Sequence, residues 1–236
     1  MEIWAIINIT PDSFYSGSRF LDTKQALTRV EKALQEGADK LDFGAESTRP
    51  FANPVSEEEE WKRLKPVLIN LQKVFGTDWI STKVSVDTRH AETAKKAADL
   101  GVSIINDVSG LSDPKMPEVL QQYALQYVLM HIKGNPQTMQ KNPEYQNVVL
   151  EIKNFFIEKT NHLLKFIKAE NISWDPGIGF GKNDNHHKEI FLNIQDFRQR
   201  PHKLFFGISR KSFLGRLLNL DNPEERLNGT TIMHTY

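Results

Sequence analysis

Seven short apolar runs along the chain each contain or precede a polar side chain that could take part in chemistry. Together these side chains offer carboxylates, amides, an imidazole and a hydroxyl, which can hydrogen-bond a polar ring and transfer protons. In chain order they are Asn8, Asp42, Asp87, Asn106, His131, Asp175 and Ser209. Because each comes at or near the end of its run, they would meet at one place if the runs lay parallel in a sheet.

Two neighbouring segments, VDT (86–88) and IINDVSG (104–110), supply two carboxylates and an amide. Asp87, Asn106 and Asp107 are predicted at neighbouring strand ends. A buried Asp and Asn on adjacent strands can bind the ring N–H, amino and carbonyl groups of a heterocycle. The alternative interpretation is that these residues cap loops, as Asp and Asn side chains often do.

Arg49 lies in the segment DFGAESTRP (42–50), close in sequence to Asp42 and Glu46. It could pair with either carboxylate as a structural partner. It could equally bind a substrate carboxylate or phosphate through two parallel hydrogen bonds. The residues alone leave both possibilities open.

The first segment, INITPDSF (7–14), places Asn8 at the end of an apolar run and Pro11, Asp12 and Ser13 in a turn. As an isolated segment it also fits a simple strand exit followed by an Asx turn. A catalytic interpretation therefore depends on what the other segments place beside it.

Two later segments offer a thioether, an aromatic ring and a cation. Met130 would form an apolar wall for an aromatic ligand, whereas a lone histidine such as His131 is more often structural than catalytic. The Gly-rich segment DPGIGFGK (175–182) has neither the Walker nor the Rossmann spacing. In that segment Phe180 is a possible stacking surface and Lys182 a nearby cation.

Ser209, Arg210 and Lys211 begin a predicted helix in the segment GISRKSFLG (207–215). A hydroxyl and two cations at a helix N-terminus suit an anion or an electron-rich ring. A surface turn without function is the alternative interpretation.

The stretches between the seven runs mostly have the apolar spacing of amphipathic helices, so strand and helix alternate along the chain. This alternation predicts a parallel α/β barrel whose active site forms at the carboxyl ends of the strands. The predicted strands are 3–9, 40–43, 83–86, 102–105, 127–130, 172–174 and 204–208. The acidic run 57–60 follows Ser56, with Glu59 at capping-box spacing, and is predicted to be a solvent-exposed first turn of a helix.

Length and composition narrow the class of protein. A chain of 236 residues with 39% hydrophobic content and no dividing linker indicates a single domain over residues 1–236. Thirty basic and thirty acidic residues cancel, which argues against a nucleic-acid partner. The lack of cysteine excludes disulfides and thiolate chemistry. With no apolar stretch of roughly 20 residues and no basic leader, the expectation is a cytoplasmic protein without a membrane partner.

Taken together, the segments resemble those of the dihydropteroate synthase family of folate biosynthesis, and the resemblance covers essentially the whole chain. INITPDSF, ESTRP, VDT, IINDVSG, LMH with GNPQTMQ, DPGIGFGK and SRKSFLG stand in the family's order and spacing. The resemblance implies a TIM (β/α)8-type barrel that condenses 6-hydroxymethyl-7,8-dihydropterin pyrophosphate with p-aminobenzoate. It also implies magnesium as cofactor, a homodimer, and a p-aminobenzoate pocket where sulfonamides act.

The resemblance also implies a role for each matching residue. The pterin ring would be bound by Asp87, Asn106, Met130, Asp175 and Lys211, with Asp87, Asp175 and Lys211 as the catalytic residues. Asn8 would help to bind magnesium and pyrophosphate. The p-aminobenzoate pocket and its loops would contain Phe14, Thr48, Arg49, Pro50, Phe180 and Ser209, with Asp12 and Ser13 on the first loop.

Two features depart from the family pattern. Ala45 stands where the family usually has glycine, a change expected only to adjust packing. Seven strands can be identified, and the chain ends at Tyr236, before the family's eighth strand and its Arg-x-His pyrophosphate grip. Exposed edges on the first and seventh strands are therefore expected. The expectation is a poorly active, marginally stable form unless a partner or a domain swap completes the barrel.

Two other functions stay open from the sequence. A pterin-dependent methyltransferase domain has a similar fold and similar Asp and Asn positions, although ITPDSF and SRKS favour the synthase. A non-catalytic pterin-binding homologue would bind the ring without condensing it.

Overall fold

The structure is a computed structural model, and it describes residues 1–9, 19–47, 53–134, 138–139 and 143–235. Its centre is a seven-stranded sheet in which each strand lies parallel to, and beside, the next strand in sequence. The strands are β1 (Trp4–Asn8), β2 (Lys40–Gly44), β3 (Val84–Asp87), β4 (Ile104–Asp107), β5 (Gln126–Met130), β6 (Ile172–Asp175) and β7 (Lys203–Leu204). The predicted α/β fold of the TIM-barrel type is confirmed, with seven strands in the described part of the chain.

Helices connect the strands and cover the outer face of the sheet. They are α1 (Arg19–Gln35), α2 (Glu57–Phe75), α3 (Thr77–Lys83), α4 (Ala91–Asp99), α5 (Met116–Gln122), α6 (Val148–Leu163), α7 (Asp184–Leu192), α8 (Ser212–Leu218) and α9 (Leu227–Thr235). Short 3₁₀ turns precede β6 and follow α7 and α8. In the part of the chain that the structure describes, no helix is both long and apolar enough to cross a bilayer.

The strands are apolar because helices bury their outer face, and the pleat turns every second side chain inward. On β2, Leu41 and Phe43 belong to the apolar core, while Asp42 between them lies on the opposite face. A barrel interior takes such inward side chains in layers from alternate strands. Polar residues at these positions therefore converge.

Helix α6 packs against the sheet through aromatic side chains. The rings of Phe156 and Trp174 stack with centroids 4.8 Å apart, and the Trp174 indole donates a hydrogen bond of 3.0 Å to Thr160 Oγ1. Both rings are buried, so they combine area burial with a satisfied N–H. This contact holds β6, and with it Asp175, against the outer layer.

The sheet curls far enough for its first and last strands to touch. The rings of Trp4 on β1 and Phe205 after β7 meet edge to face with centroids 4.8 Å apart. Among the described strands, β1 and β7 are not paired with each other. The predicted edges on the first and seventh strands are therefore present in the described sheet, bridged by this aromatic contact and by the ion pair of Lys203 with Glu2 at 4.0 Å.

Some predicted boundaries are wrong. β7 was predicted over 204–208 and covers two residues, although Phe205 N still donates to Trp174 O at 2.9 Å. Conversely, β3, β4 and β6 run one or two residues past their apolar runs, because the backbone ladder continues through the polar residues that end them. Asp87 and Asp175 are thus strand residues, which fixes their direction more firmly than a loop would.

Candidate active site

The sheet register brings the polar strand ends to one level. Asn8 on β1 lies opposite Gly44, Gly44 opposite Asp87, and Asp87 opposite Asn106. On the other side of the barrel, Met130 lies opposite Asp175. Because all strands are parallel, these residues line the same rim, the carboxyl ends of the strands.

A buried pair of polar side chains lies at this rim. Asn106 Nδ2 donates a hydrogen bond of 2.8 Å to Asp42 Oδ2, and both side chains are buried. Burial raises the pKa of Asp42, while hydrogen bonds from Ser85 and Asn106 act in the opposite direction. Asn106 Oδ1 has no partner among the described residues. A buried acceptor without a partner is costly, so it indicates a ligand that supplies an N–H group.

Asp87 stands beside this pair at the open end of β3. Burial raises the pKa of Asp87 well above its usual range, and the neighbouring carboxylate of Asp42 raises it further. A carboxyl group in this state changes its charge when a cation or a hydrogen-bond donor approaches.

Asp175 faces the same rim from β6. Its Oδ1 accepts a hydrogen bond of 2.8 Å from Gly177 N, and the side chain is buried. Burial raises the pKa of Asp175, while Lys211 acts in the opposite direction. Buried Met130 on the adjacent strand supplies an apolar surface at the same level.

Lys211 precedes α8 and reaches the loop after β6. Its Nζ donates to Ile178 O and lies 4.7 Å from the centre of the Phe180 ring. A Cβ added at Gly207 would come within 3.4 Å of this Nζ, so the glycine leaves room for the side chain. Burial lowers the pKa of Lys211 to about 8, against the raising effect of Asp175.

The polar atoms of Asp107 and Lys182 make their contacts within the protein. Asp107 accepts hydrogen bonds from Ser109, Leu111 and the Tyr127 hydroxyl, the last at 2.5 Å, so its oxygens are used within the protein. Lys182 was predicted as a nearby cation, but it is 1% exposed and lies beneath the loop, with its Nζ 2.9 Å from His131 Nδ1.

Arg49 lies outside the described residues, so both interpretations of it stay predictions. Of the two carboxylates near it in sequence, Glu46 accepts hydrogen bonds of 2.9 and 3.2 Å from Arg89, and Asp42 accepts one from Asn106.

The remaining predicted site residues divide into two groups. Phe180 is half-buried and Ser209 exposed at the rim, where either could contact a ligand. The other members of the predicted p-aminobenzoate pocket lie outside the described residues: Asp12, Ser13, Phe14, Thr48, Arg49 and Pro50.

Asn8 offers the oxygen predicted to help bind magnesium. It is exposed, and a Cβ added at Gly44 would lie 3.7 Å from Asn8 Oδ1 and 3.5 Å from Asp87 Oδ2. Among the residues that the structure describes, no three His, Asp or Glu side chains form a metal cluster. This donor set fits an ion that keeps several waters and relies on substrate phosphates, as Mg²⁺ commonly does.

Glu60 is a buried carboxyl group that the sequence interpretation placed in solvent. The run 57–60 begins α2 after the Ser56 N-cap, as predicted. Glu60, however, is fully buried, and its carboxyl group accepts a hydrogen bond of 2.7 Å from Thr88 Oγ1. The prediction of a fully exposed turn is therefore wrong at its last residue. Helical spacing contained the signal, because Glu60 lies four residues before the buried Leu64.

Comparisons with known proteins agree with this geometry. The family described as "Pterin binding enzyme" matches residues 4–236. The dihydropteroate synthase of Haemophilus influenzae is 41% identical over 231 residues, which cover 97% of this chain and 82% of the relative.

Two solved structures are similar throughout. Xanthomonas albilineans dihydropteroate synthase with 4-aminobenzoic acid has a TM-score of 0.89 at 31% identity, covering 99% of this chain and 82% of that one. The same organism's enzyme in complex with 7,8-dihydropteroate has a TM-score of 0.84 at 28% identity, with the same coverage. The chain belongs to the pterin-binding enzyme family and, within it, to the dihydropteroate synthases.

Proposed function

We propose that this chain, as a single barrel domain over residues 1–236, condenses 6-hydroxymethyl-7,8-dihydropterin pyrophosphate with p-aminobenzoate. The products would be 7,8-dihydropteroate and pyrophosphate. The observation that carries the proposal is the buried Asn106 Oδ1, which has no partner in the described part of the chain and lies at a rim with Asp87, Asp175 and Lys211. A pterin edge supplies an N–H donor for this oxygen.

The pterin ring would be bound by Asp87, Asn106, Met130, Asp175 and Lys211. Asp175 Oδ2 would accept from the guanidine-like edge of the ring, since Oδ1 already accepts from Gly177. Asn106 has both an amide donor and a free oxygen to offer, and Met130 would pack against the ring face. Lys211, held at Ile178 O, would contact the ring or its carbonyl.

The p-aminobenzoate site would lie over Phe180 and Ser209, next to Lys211. The half-buried Phe180 ring offers a stacking surface, and exposed Ser209 offers a hydroxyl. We also place Phe14, Thr48, Arg49 and Pro50 in this pocket, on the family resemblance alone. The similar Xanthomonas albilineans enzyme was solved with 4-aminobenzoic acid, which supports p-aminobenzoate as the second substrate.

The reaction would break the C–O bond to pyrophosphate and form a C–N bond to the arylamine, which loses one proton. Departure of pyrophosphate leaves positive charge on the pterin methylene. That charge lowers the raised pKa of Asp87 and favours its carboxylate form, which stabilises the cation in turn. No protein nucleophile is required.

Magnesium, when bound with the pyrophosphate, would neutralise the charge of the leaving group. Asn8 is the residue we propose to hold it, because its amide oxygen lies at the rim beside Asp87. The homodimer and the cytoplasmic location stay predictions, to be tested by sedimentation equilibrium and by cell fractionation.

A condensation assay with both substrates and magnesium tests the proposal. We expect product formation that is lost in Asp175→Asn and kept in Asp196→Asn, which changes an exposed carboxylate. Binding of 7,8-dihydropteroate without any condensation would instead indicate a non-catalytic pterin-binding homologue. The synthase relatives favour condensation over methyl transfer, and methyl transfer from a methylated pterin without condensation would reverse that preference.

A further inference from the structure

Lys182 is a buried lysine whose Nζ contacts neutral atoms of the loop after β6 and of the end of β5. Lysine is rarely buried without a charged partner, yet its three close contacts are a ring nitrogen and two carbonyl oxygens. Its Nζ lies 2.9 Å from His131 Nδ1, 3.3 Å from His131 O and 3.0 Å from Phe180 O. With the ring proton on Nε2, all three atoms accept hydrogen bonds.

These contacts join the loop after β6 to the end of β5. Just before the loop, residues 176–181, the backbone pairing of β5 with β6 ends in a hydrogen bond of 2.9 Å from His131 N to Asp175 O. A Cβ at Gly177 would come within 2.0 Å of His131 O, so the two backbones touch. Lys182 fastens the far end of the loop to the same strand end from below.

The upper side of the loop carries candidate substrate contacts. Ile178 O accepts a hydrogen bond from Lys211 Nζ, and the Phe180 ring lies 4.7 Å from that nitrogen. Gly179 N donates to His187 Nε2 at 3.0 Å, which ties the loop to α7. A shift of the loop backbone would therefore displace both the Phe180 ring and the carbonyl oxygen that accepts the hydrogen bond from Lys211 Nζ.

We propose that Lys182 is a positioning residue for the reaction: it holds the loop 176–181 on the end of β5 and so sets where Lys211 and Phe180 meet the substrate. The identity of that substrate rests on the proposed function. The effect of Lys182 on the order of the loop does not depend on the proposed function, because that order can be measured in the free protein.

The test compares Lys182→Met with Lys188→Met, which changes an exposed lysine on α7. Hydrogen exchange is measured at the amides of Gly177, Gly179 and Phe180 and at core amides of β3 and β4. Affinity for 7,8-dihydropteroate is measured by calorimetry. We expect faster exchange only in the loop of Lys182→Met, and an affinity loss of about tenfold or more, since small displacements of positioning groups cost this much.

Two results would overturn the proposal. Unchanged loop exchange and affinity in Lys182→Met would show that the lysine positions nothing. Equally faster exchange in β3, β4 and the loop would show a purely structural lysine. If Lys182→Met does not fold, Lys182→Gln, which keeps N–H donors, is expected to show the loop effect in weaker form. Failure of the proposed function has a different signature, because then the unaltered chain would not bind dihydropteroate while the loop result would stand.

Discussion

At the scale of single residues, the most informative feature is a missing hydrogen-bond donor. Asn106 Nδ2 donates a hydrogen bond of 2.8 Å to Asp42 Oδ2, while the buried Asn106 Oδ1 has no partner among the residues that the structure describes. An enzyme can tolerate this cost where a ligand later supplies the missing donors. The same atoms therefore weaken the empty protein and bind its substrate.

Replacing Asn106 by leucine removes the donor to Asp42. We expect a loss of about 1–3 kcal/mol in the free energy of unfolding, because a buried carboxyl group loses its bond. Dihydropteroate binding should also fall. Urea denaturation and calorimetry measure both, with Asn154→Leu on the exposed face of α6 as the matched control. Equal stability and affinity in the two variants would show that the pair has neither role.

Lys211 predicts a pH dependence. Burial lowers its pKa to about 8, so its positive charge is present below that pH and is lost as pH rises through it. If the cation binds substrate, kcat/KM should decline above about pH 8 as the charged fraction falls. A pH profile of kcat/KM measures this decline, and in Lys211→Met the activity should be low without it. The same decline in that variant would assign the titration to another group.

At the scale of elements, two glycines with positive φ allow a comparison between the loop after β6 and the end of α1. Gly177 has φ 68° and a Cβ there would meet His131 O at 2.0 Å, whereas Gly37 has φ 93° and open space. Gly177→Ala should displace the loop and abolish condensation. Gly37→Ala should keep activity and cost only about 1–2 kcal/mol of stability from left-handed backbone strain.

Assays of both alanine variants, with thermal melts, check the comparison. Retained activity in Gly177→Ala would mean that the loop after β6 tolerates displacement. The same result would weaken the role assigned to Lys182, which holds that loop at its other end.

Elements were also the scale at which the sequence was most predictive. Most of the seven strands were predictable from apolar runs such as YVLM, because strands covered by helices are near-continuous hydrophobic segments. Lengths were less predictable. β7 has two residues instead of five, since hydrogen bonding to β6, rather than apolar character, decides where the ladder ends.

At the scale of the whole molecule, tertiary contacts determine which charged side chains are buried, and the sequence did not predict this burial. Lys182 was predicted as a cation near the site, and its burial involves a contact with His131, which is 51 residues away in the sequence. Glu60 reads as part of an acidic helix start, and its burial depends on Thr88 across a strand. Asp87, Asn106 and Asp175 were predictable as rim residues because parallel strands send their carboxyl ends to one edge.

The curvature of the whole sheet rests in part on the contact between Trp4 and Phe205, which bridges the unpaired edges of β1 and β7. Edge-to-face pairs contribute about 0.5–1.5 kcal/mol beyond their buried area. A double-mutant cycle with Trp4→Leu and Phe205→Leu should therefore give a coupling energy in that range by urea denaturation. The pair Trp4 and Phe75, whose rings lie in different contacts, should give none. A coupling of zero for Trp4 and Phe205 would mean that this contact contributes nothing to the curvature of the sheet.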